Sequence, residues 1–323
     1  MVIPYPLSGP SDIRGAARLT KLYKLMSENS PPAISDTLAR HVARALEAEY
    51  RQPVKLSRKP GGNMTAGLGY VSGAVPDGHT LLLGSNGSVV INPQFFPQAA
   101  QRPDRELVPV APLATMTFVL TTHPSLPAES LPELVRWLRQ RPGQVYFSSS
   151  GDGSTGHLAG ELFKRLTQVD IIHAPFNGGY AALNGMVTGQ VRLSSVALPA
   201  VLPFLDSDRF TVIAQSGRQR HPRLADVPTF AEGGVPAFEV EAWFGVFTRV
   251  GAPQRVIDGL NAVIGRSLEP VSVAQHLRAN GLEVYNATAD VFSGRIRADA
   301  SRWAETIRVS TTRPGTRGPG EGS

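Results

Sequence analysis

Between Gln144 and Leu166 the sequence runs from Val145-Tyr-Phe147 through three serines into Gly151-Asp-Gly-Ser-Thr-Gly156. It then places Leu158, Leu162, Phe163 and Leu166 at helical spacing. A β-branched and aromatic run, a glycine-rich turn and an amphipathic stretch in this order fold as one β–α step. The first N–H groups of such a helix have no partner within it, and the helix dipole adds partial positive charge, so the turn suits an anion.

The same step recurs along the chain. Pro53-Val-Lys-Leu56 reads as a strand, Lys59 to Asn63 as a turn, and a helix follows to about Ser72. Thr80-Leu-Leu-Leu83 is apolar throughout, as in a strand buried in a parallel sheet, and it ends in the turn Gly84-Ser-Asn-Gly-Ser88. Asp170 to Pro175 is a strand with the turn Phe176-Asn-Gly-Gly179 and a helix through Ala182, Leu183 and Met186. Gln190 to Leu193 and Thr211 to Ala214 are further strands, and Leu198 opens a helix between them. At the start, Met1 to Tyr5 reads as a strand and Pro6 to Pro10 as a turn. Ser11-Asp12 caps a helix whose stripe runs from Ile13 to Met26; Pro31-Pro32 stops it, and Ser35-Asp36 opens another.

Two long extended runs, Arg105 to Leu120 and Pro236 to Phe247, bracket the middle of the chain, and three helices and a short strand close it. Alternating strands and helices imply an α/β fold with parallel sheets covered on both faces. The extended runs imply two lobes, residues 1–114 with 231–309 and residues 115–230, joined by two crossings. Residues 310–323, rich in Gly, Pro and Thr, read as an unstructured tail.

Charge and composition exclude several functions. The net charge of +6 invites a nucleic-acid reading, but Lys and Arg are spread along the chain, and the densest group, Arg218 to Arg223, has no interleaved aromatics. No nucleic-acid partner is expected. With no cysteine there is neither a disulfide nor a thiolate metal site. No apolar run is long enough to span a bilayer, and strand-like sequence follows Met1 almost at once, so the chain reads as lacking a signal peptide.

Gly151-x-Gly153-x-x-Gly156 matches the dinucleotide fingerprint by letter, but the acidic residue expected to close the next strand instead opens it, as Asp170. An α/β enzyme holding a nucleotide phosphate at this turn stays as the alternative. There is no Gly-x-Ser-x-Gly elbow, and the serines of residues 148–154 with His157 would face one ligand rather than each other. The seven histidines do not pair at ligand spacing, so neither a metal nor a cofactor is expected. Turns at 6–12, 84–88, 148–156 and 176–179 all follow predicted strands. In a doubly wound sheet they gather at the strands' carboxyl ends, where such folds bind small ligands.

At these turns the sequence resembles the tripartite tricarboxylate transporter substrate-binding proteins, the Bug or TctC family of periplasmic receptors. The likeness lies in Pro76-Asp-Gly-His-Thr-Leu-Leu-Leu-Gly84 with Ile91-Asn-Pro93, in Ser149 to Ala159, and in His173 to Gly179 with Gly189-Gln-Val191. It continues in Val227 to Glu232, Glu239 to Trp243 and Arg302-Trp303. It implies a two-lobed, type II periplasmic binding protein-like fold that closes on a carboxylate without catalysis. It also implies a monomer that delivers its ligand to permease subunits of a tripartite transporter from the periplasm. Ser8, Gly9, Asp12, Asn86, Gly87 and Ser88 would act from one lobe; Ser150, Gly153, Ser154, Thr155, His157, Asn177 and Gly178 would act from the other.

The family's Pro-x-Gly-Gly-x-x-Asp loop appears as Pro6 to Asp12 with Ser8 in a glycine position. A segment then reads as inserted, because Ser35 to Arg40 matches the family's first helix equally well, so Asp12 or Asp36 fills the aspartate position. A first loop altered in this way also admits a member that binds nothing and serves as a sensor or interaction partner. Family members often carry Asp or Asn where this chain has Val196-Ala197, which implies a ligand without an α-amino group.

Overall fold

A computed structural model describes residues 21–24, 32–58, 65–97 and 102–310. Its strands form one continuous network in two sets that share a single long strand. In the first set, β1 (Lys21–Lys24) lies between β2 (Lys55–Arg58) and β3 (Thr80–Ser85), parallel to both. β9 (Glu241–Arg249) pairs antiparallel with β3 and with the first part of β4 (Leu107–Thr122), where β10 (Leu282–Val284) also pairs.

In the second set, β5 (Tyr146–Ser149) lies between β6 (Ile172–Pro175) and β7 (Leu193–Ala197), again parallel to both. The far part of β4 pairs antiparallel with β7 and with β8 (Thr211–Gln215). The orders β2-β1-β3 and β6-β5-β7 are the same doubly wound pattern. Each set is parallel where β–α–β steps build it and antiparallel where β4 and β9 join it. Register shifts in the β4–β9 pairing fall beside Pro109 and Pro112, which have no N–H to give to a ladder.

Helices cover the sheets. α1 (Pro32–Tyr50) and α9 (Gln254–Leu268) bury Leu38, Val42, Leu46, Leu260 and Ile264 against Leu81, Leu83 and Val110. α2 (Thr65–Ser72) precedes β3, and α5 (Leu131–Arg139), α6 (Thr155–Thr167) and α7 (Gly179–Val187) serve the second set. After β3 the chain forms a π-helical turn, Gly87–Ile91, that runs directly into the short α3 (Asn92–Phe95). α4 (Pro103–Glu106) leads into β4 and α8 (Leu198–Val201) follows β7. α10 (Val271–Ala279) precedes β10, and α11 (Ala289–Val309) closes the described chain. One apolar cluster runs through both sets, from Trp243, Phe247 and Phe292 to Phe147 and Phe163.

The N-terminal expectations need correction. The expected strand at 1–5 and the capped helix start at Ser11-Asp12 lie outside the described residues, but Leu22, placed on that helix, belongs to strand β1. Pairing with strands on both edges decides the local structure there over a short helical spacing. Pro32 is the first residue of a helix, since a missing N–H costs nothing in a helix's first turn, and residues 25–31, the end of the segment it was expected to stop, lie outside the described residues. Asp36 therefore sits inside α1 rather than at its cap, on the helix that follows β1.

Candidate functional site

The turn that opens α6 is built by short-range chemistry. Ser154 is the N-cap: its backbone is extended and its hydroxyl accepts the His157 N–H at 3.1 Å. The N–H groups of Thr155 and Gly156 are left without an intrahelical partner. Gly153, at φ +69, gives its N–H to His157 Nδ1 at 3.1 Å, so that donor is already taken. A side chain at Gly153 would meet Phe96, Asn92 and Phe95 of the first set at 3.0, 3.1 and 3.1 Å. The turn is therefore seated against α3 as closely as a bare backbone allows.

The second contact across the two sets is between Asn86 and Thr155, whose hydroxyl lies 3.5 Å from Asn86 Oδ1. Asn86 is buried and also reaches the Glu241 carbonyl at 3.4 Å. Of the residues expected at the site, the structure thus brings together Asn86, Gly153, Ser154, Thr155 and His157. Ser88 is buried, and its hydroxyl serves the turn itself, donating to the Ser85 carbonyl at 3.1 Å and accepting the Ser85 N–H at 3.0 Å. Gly87 is buried in the π-helical turn. Ser150 is half-buried beside β5, Asn177 is exposed, and Gly178 at φ +103 caps α7. Ser8, Gly9 and Asp12 lie outside the described residues.

Beneath the turn lies a network that sequence spacing did not reveal. Ser149 Oγ is 2.7 Å from His173 Nε2, and His173 Nδ1 is 3.4 Å from Asp152 Oδ1. The His173 ring stacks on His157 at 3.8 Å between centroids and 9° between planes. Phe147 and Ser149 share one face of β5, and β6 pairs His173 opposite Phe147, which brings residues far apart in sequence onto one surface. A histidine two residues before the Pro-Phe-Asn turn of the stretch 173–179 was the only available signal.

The order Ser149, His173, Asp152 imitates a hydrolase relay, but access decides against one. Ser149 and His173 are buried, and the serine hydroxyl also lies within hydrogen-bonding distance of the Gly151 carbonyl and of Ser154 Oγ, so no acyl carbon reaches it. The cluster Asp152, His157 and His173 also brings three potential metal-binding atoms within 4.8 Å of one another, against the expectation from spacing. The stack argues against sharing an ion. A metal between the rings would lie roughly half the stacking distance out of each plane, whereas an imidazole binds in its plane at about 2.0–2.1 Å. The Ser149–His173 hydrogen bond and the ring stack instead fix the turn's shape, and Asp152 Oδ1, buried without a hydrogen-bond partner, lies beside His173 Nδ1.

Burial, then the stacked His173, then Lys164 hold the His157 imidazole well below its usual range, so it is neutral in the fold. Burial lowers His41 and His221 as well. A histidine with a lowered folded pKa contributes its full stability above its unfolded value of 6.5, and loses it as pH falls below that value because the unfolded chain takes up the proton first. The melting temperature should therefore fall between pH 7.5 and 5. His157→Asn, which keeps an acceptor for the Gly153 N–H and cannot titrate, should flatten that fall. A pH profile of the His157→Asn variant as steep as that of the wild type would remove His157 from the account.

The family described as tripartite tricarboxylate transporter family receptor matches residues 38–311. Protein BugT of Bordetella pertussis is 31% identical over 279 residues, covering 86% of each chain. The solved structure of Rpa4515 of R. palustris with adipate superposes with a TM-score of 0.77 at 30% identity, covering 91% of this chain and 98% of that one. MatC of Rhodopseudomonas palustris, with bound malate, gives 0.75 at 28% identity, covering 90% and 98%.

Proposed function

This chain belongs to the tripartite tricarboxylate transporter receptor family, and from that premise we propose that it captures a small organic carboxylate between two lobes. It then hands the ligand, unchanged, to the permease subunits of a tripartite transporter. The observation that carries this reading is the meeting of polar turns across the two strand sets. Asn86 after β3 touches Thr155 at the head of α6, where unpaired N–H groups and the helix dipole face an anion. Similar proteins hold adipate and malate, both dicarboxylates.

On this reading the lobes are residues 1–114 with 231–309 and residues 115–230, with the runs Arg105 to Leu120 and Pro236 to Phe247 as the crossings. Ser150, Ser154, Thr155, Asn177 and Gly178 hold the ligand from the second lobe, and Asn86 and Gly87 from the first. Asp36 fills the first helix's aspartate position, since it lies on the helix that follows β1. The protein works as a monomer in the periplasm. No described helix is long and apolar enough to cross a membrane. Among the described residues the serine paired with a histidine is buried without access, which supports a site that leaves its ligand unchanged. At the end of β7, Val196 is buried and Ala197 half-buried, and neither offers a partner for an amine. The ligand is therefore a carboxylate without an α-amino group.

A thermal-shift screen of organic acids, amino acids and nucleotides tests the reading. A ligand at a hundred times its dissociation constant stabilises by about 2.7 kcal/mol, which moves the melting temperature by on the order of 5–10 °C. Di- or monocarboxylates should produce the shift. Stabilisation by NAD or ATP alone overturns the receptor reading. Glutamate bound as tightly as glutarate overturns the absence of an amine site.

A further inference from the structure

Not every contact between the two strand sets is polar. α3 and the residue after it, in the first set, lie against the glycine turn of the second. The Phe95 ring meets the His157 ring in a T, with centroids 5.4 Å apart and planes at 83°. Phe96 crosses Phe95 in the same way, at 5.0 Å and 76°. Both phenylalanines and Asn92 crowd the bare side of Gly153, each with an atom 3.0–3.1 Å from where a Cβ would stand. Phe95 is 3% exposed and His157 fully buried, so water is excluded from this pair.

The patch is made of rings and of a backbone whose donor is already taken, since the Gly153 N–H is given to His157 Nδ1. Dispersion and ring-edge contact hold it, and neither needs a charged partner. The meeting of Asn86 with Thr155 is of another kind. At 3.5 Å it is long for a hydrogen bond, and the free N–H groups at the head of α6 lie beside it. Closing the two sets and holding an anion thus fall to different residues.

We propose that Phe95 and Phe96, set against Gly153 and His157, form a latch that closes the two sets whether or not a ligand is bound, so that opening limits how fast a carboxylate enters. The proposal rests on the two-lobe receptor reading and deepens it. A contact made equally in the empty and the loaded closed forms favours neither, so it adds little to affinity. It does raise the barrier that a ligand crosses both on entry and on release. A contact made only around the ligand would act differently, because it would slow release alone.

Two measurements on the full chain test it. Small-angle X-ray scattering of the ligand-free wild type should match the closed form, and ligand-free Phe96→Ala should scatter as a larger particle. A wild type that is already extended, or a variant no larger than it, overturns the proposal. Stopped-flow mixing with adipate and with malate then follows entry and release. In the wild type the observed rate should level off as the acid concentration rises. Phe96→Ala should speed entry and release by about tenfold each, while the dissociation constant stays within about threefold of wild type. Faster release with unchanged entry overturns the latch and leaves the receptor reading standing. Should Phe96→Ala fail to fold, Phe96→Leu, which keeps apolar bulk without the ring, takes its place with changes of the same sign. If neither acid binds, the scattering alone decides the latch; only silence across the whole acid screen removes the receptor reading.

Discussion

Gly156→Ala should lower the melting temperature by roughly 2–12 °C and abolish whatever carboxylate binding the wild-type protein shows. A Cβ at this position would sit 2.4 Å from the Ser195 carbonyl oxygen of β7. That oxygen belongs to backbone pairing with Leu120 of β4, so it cannot move aside as a flexible side-chain end would. The helix must lift instead. Overpacking of this kind costs about 1–3 kcal/mol, and in a chain this long each kcal/mol moves the midpoint by roughly 2–4 °C. The lift also carries away the head of α6, where Thr155 faces Asn86, so binding should fail even at temperatures where the variant stays folded. Near wild-type affinity in Gly156→Ala would mean that the ligand does not depend on the seat of α6. A Cβ at Gly160 would likewise collide with the buried Phe147 ring. Of the glycines that resemble a dinucleotide fingerprint, Gly156 is thus explained by how closely α6 lies on β7, and Gly153 by the seat of the turn against α3.

The second large effect lies far from the turn. Asp299 is 2% exposed and accepts the Trp243 indole N–H at 2.7 Å, Arg302 Nη2 at 2.6 Å, and Arg295 Nε at 3.2–3.3 Å. Arg295 also reaches Glu241 of β9 at 3.2 Å. One carboxylate thus ties α11 to β9. Asp299→Ala leaves the Arg302 guanidinium and a buried indole N–H without this acceptor and Arg295 with Glu241 alone, and breaking a buried charge network in this way costs about 3–5 kcal/mol. Urea unfolding should show that loss in full. Asp299→Asn should show a smaller loss, because the amide keeps the shape and one acceptor but turns a donor toward donors. An alanine variant as stable as the wild type would mean that the arginines find water instead.

Much of the fold was legible because its signals are local. The apolar Thr80–Leu83 is the core of β3, and the helical spacing from Leu158 to Leu166 lies in α6. The long run from Arg105 is the strand β4. What escaped depends on partners. Lys21–Lys24 is a strand because two others flank it, and the π-helical turn at Gly87–Ile91 is buried throughout and so shows no amphipathic period. The same division holds at the site. The Ser154 cap and the glycine turn could be read from spacing of three or four residues. The Ser149, His173 and Asp152 network could not, because it exists only once β5 and β6 pair in register. Nor could the approach of Phe95 and Phe96 to Gly153, which joins segments from opposite strand sets.

β4 belongs to both strand sets at once: β9 and β10 ladder onto its first part, and β7 and β8 onto its last. The two halves are therefore not modules in the sense of protein engineering. A cut within this strand would strip a neighbour from both sheets together and bare the edges of β9 and β7 to pairing with other chains. Domain exchange between such receptors has to carry β4 whole and match it to partners on both sides, so inheritance of ligand specificity by swapping a lobe is blocked at the level of one strand's register.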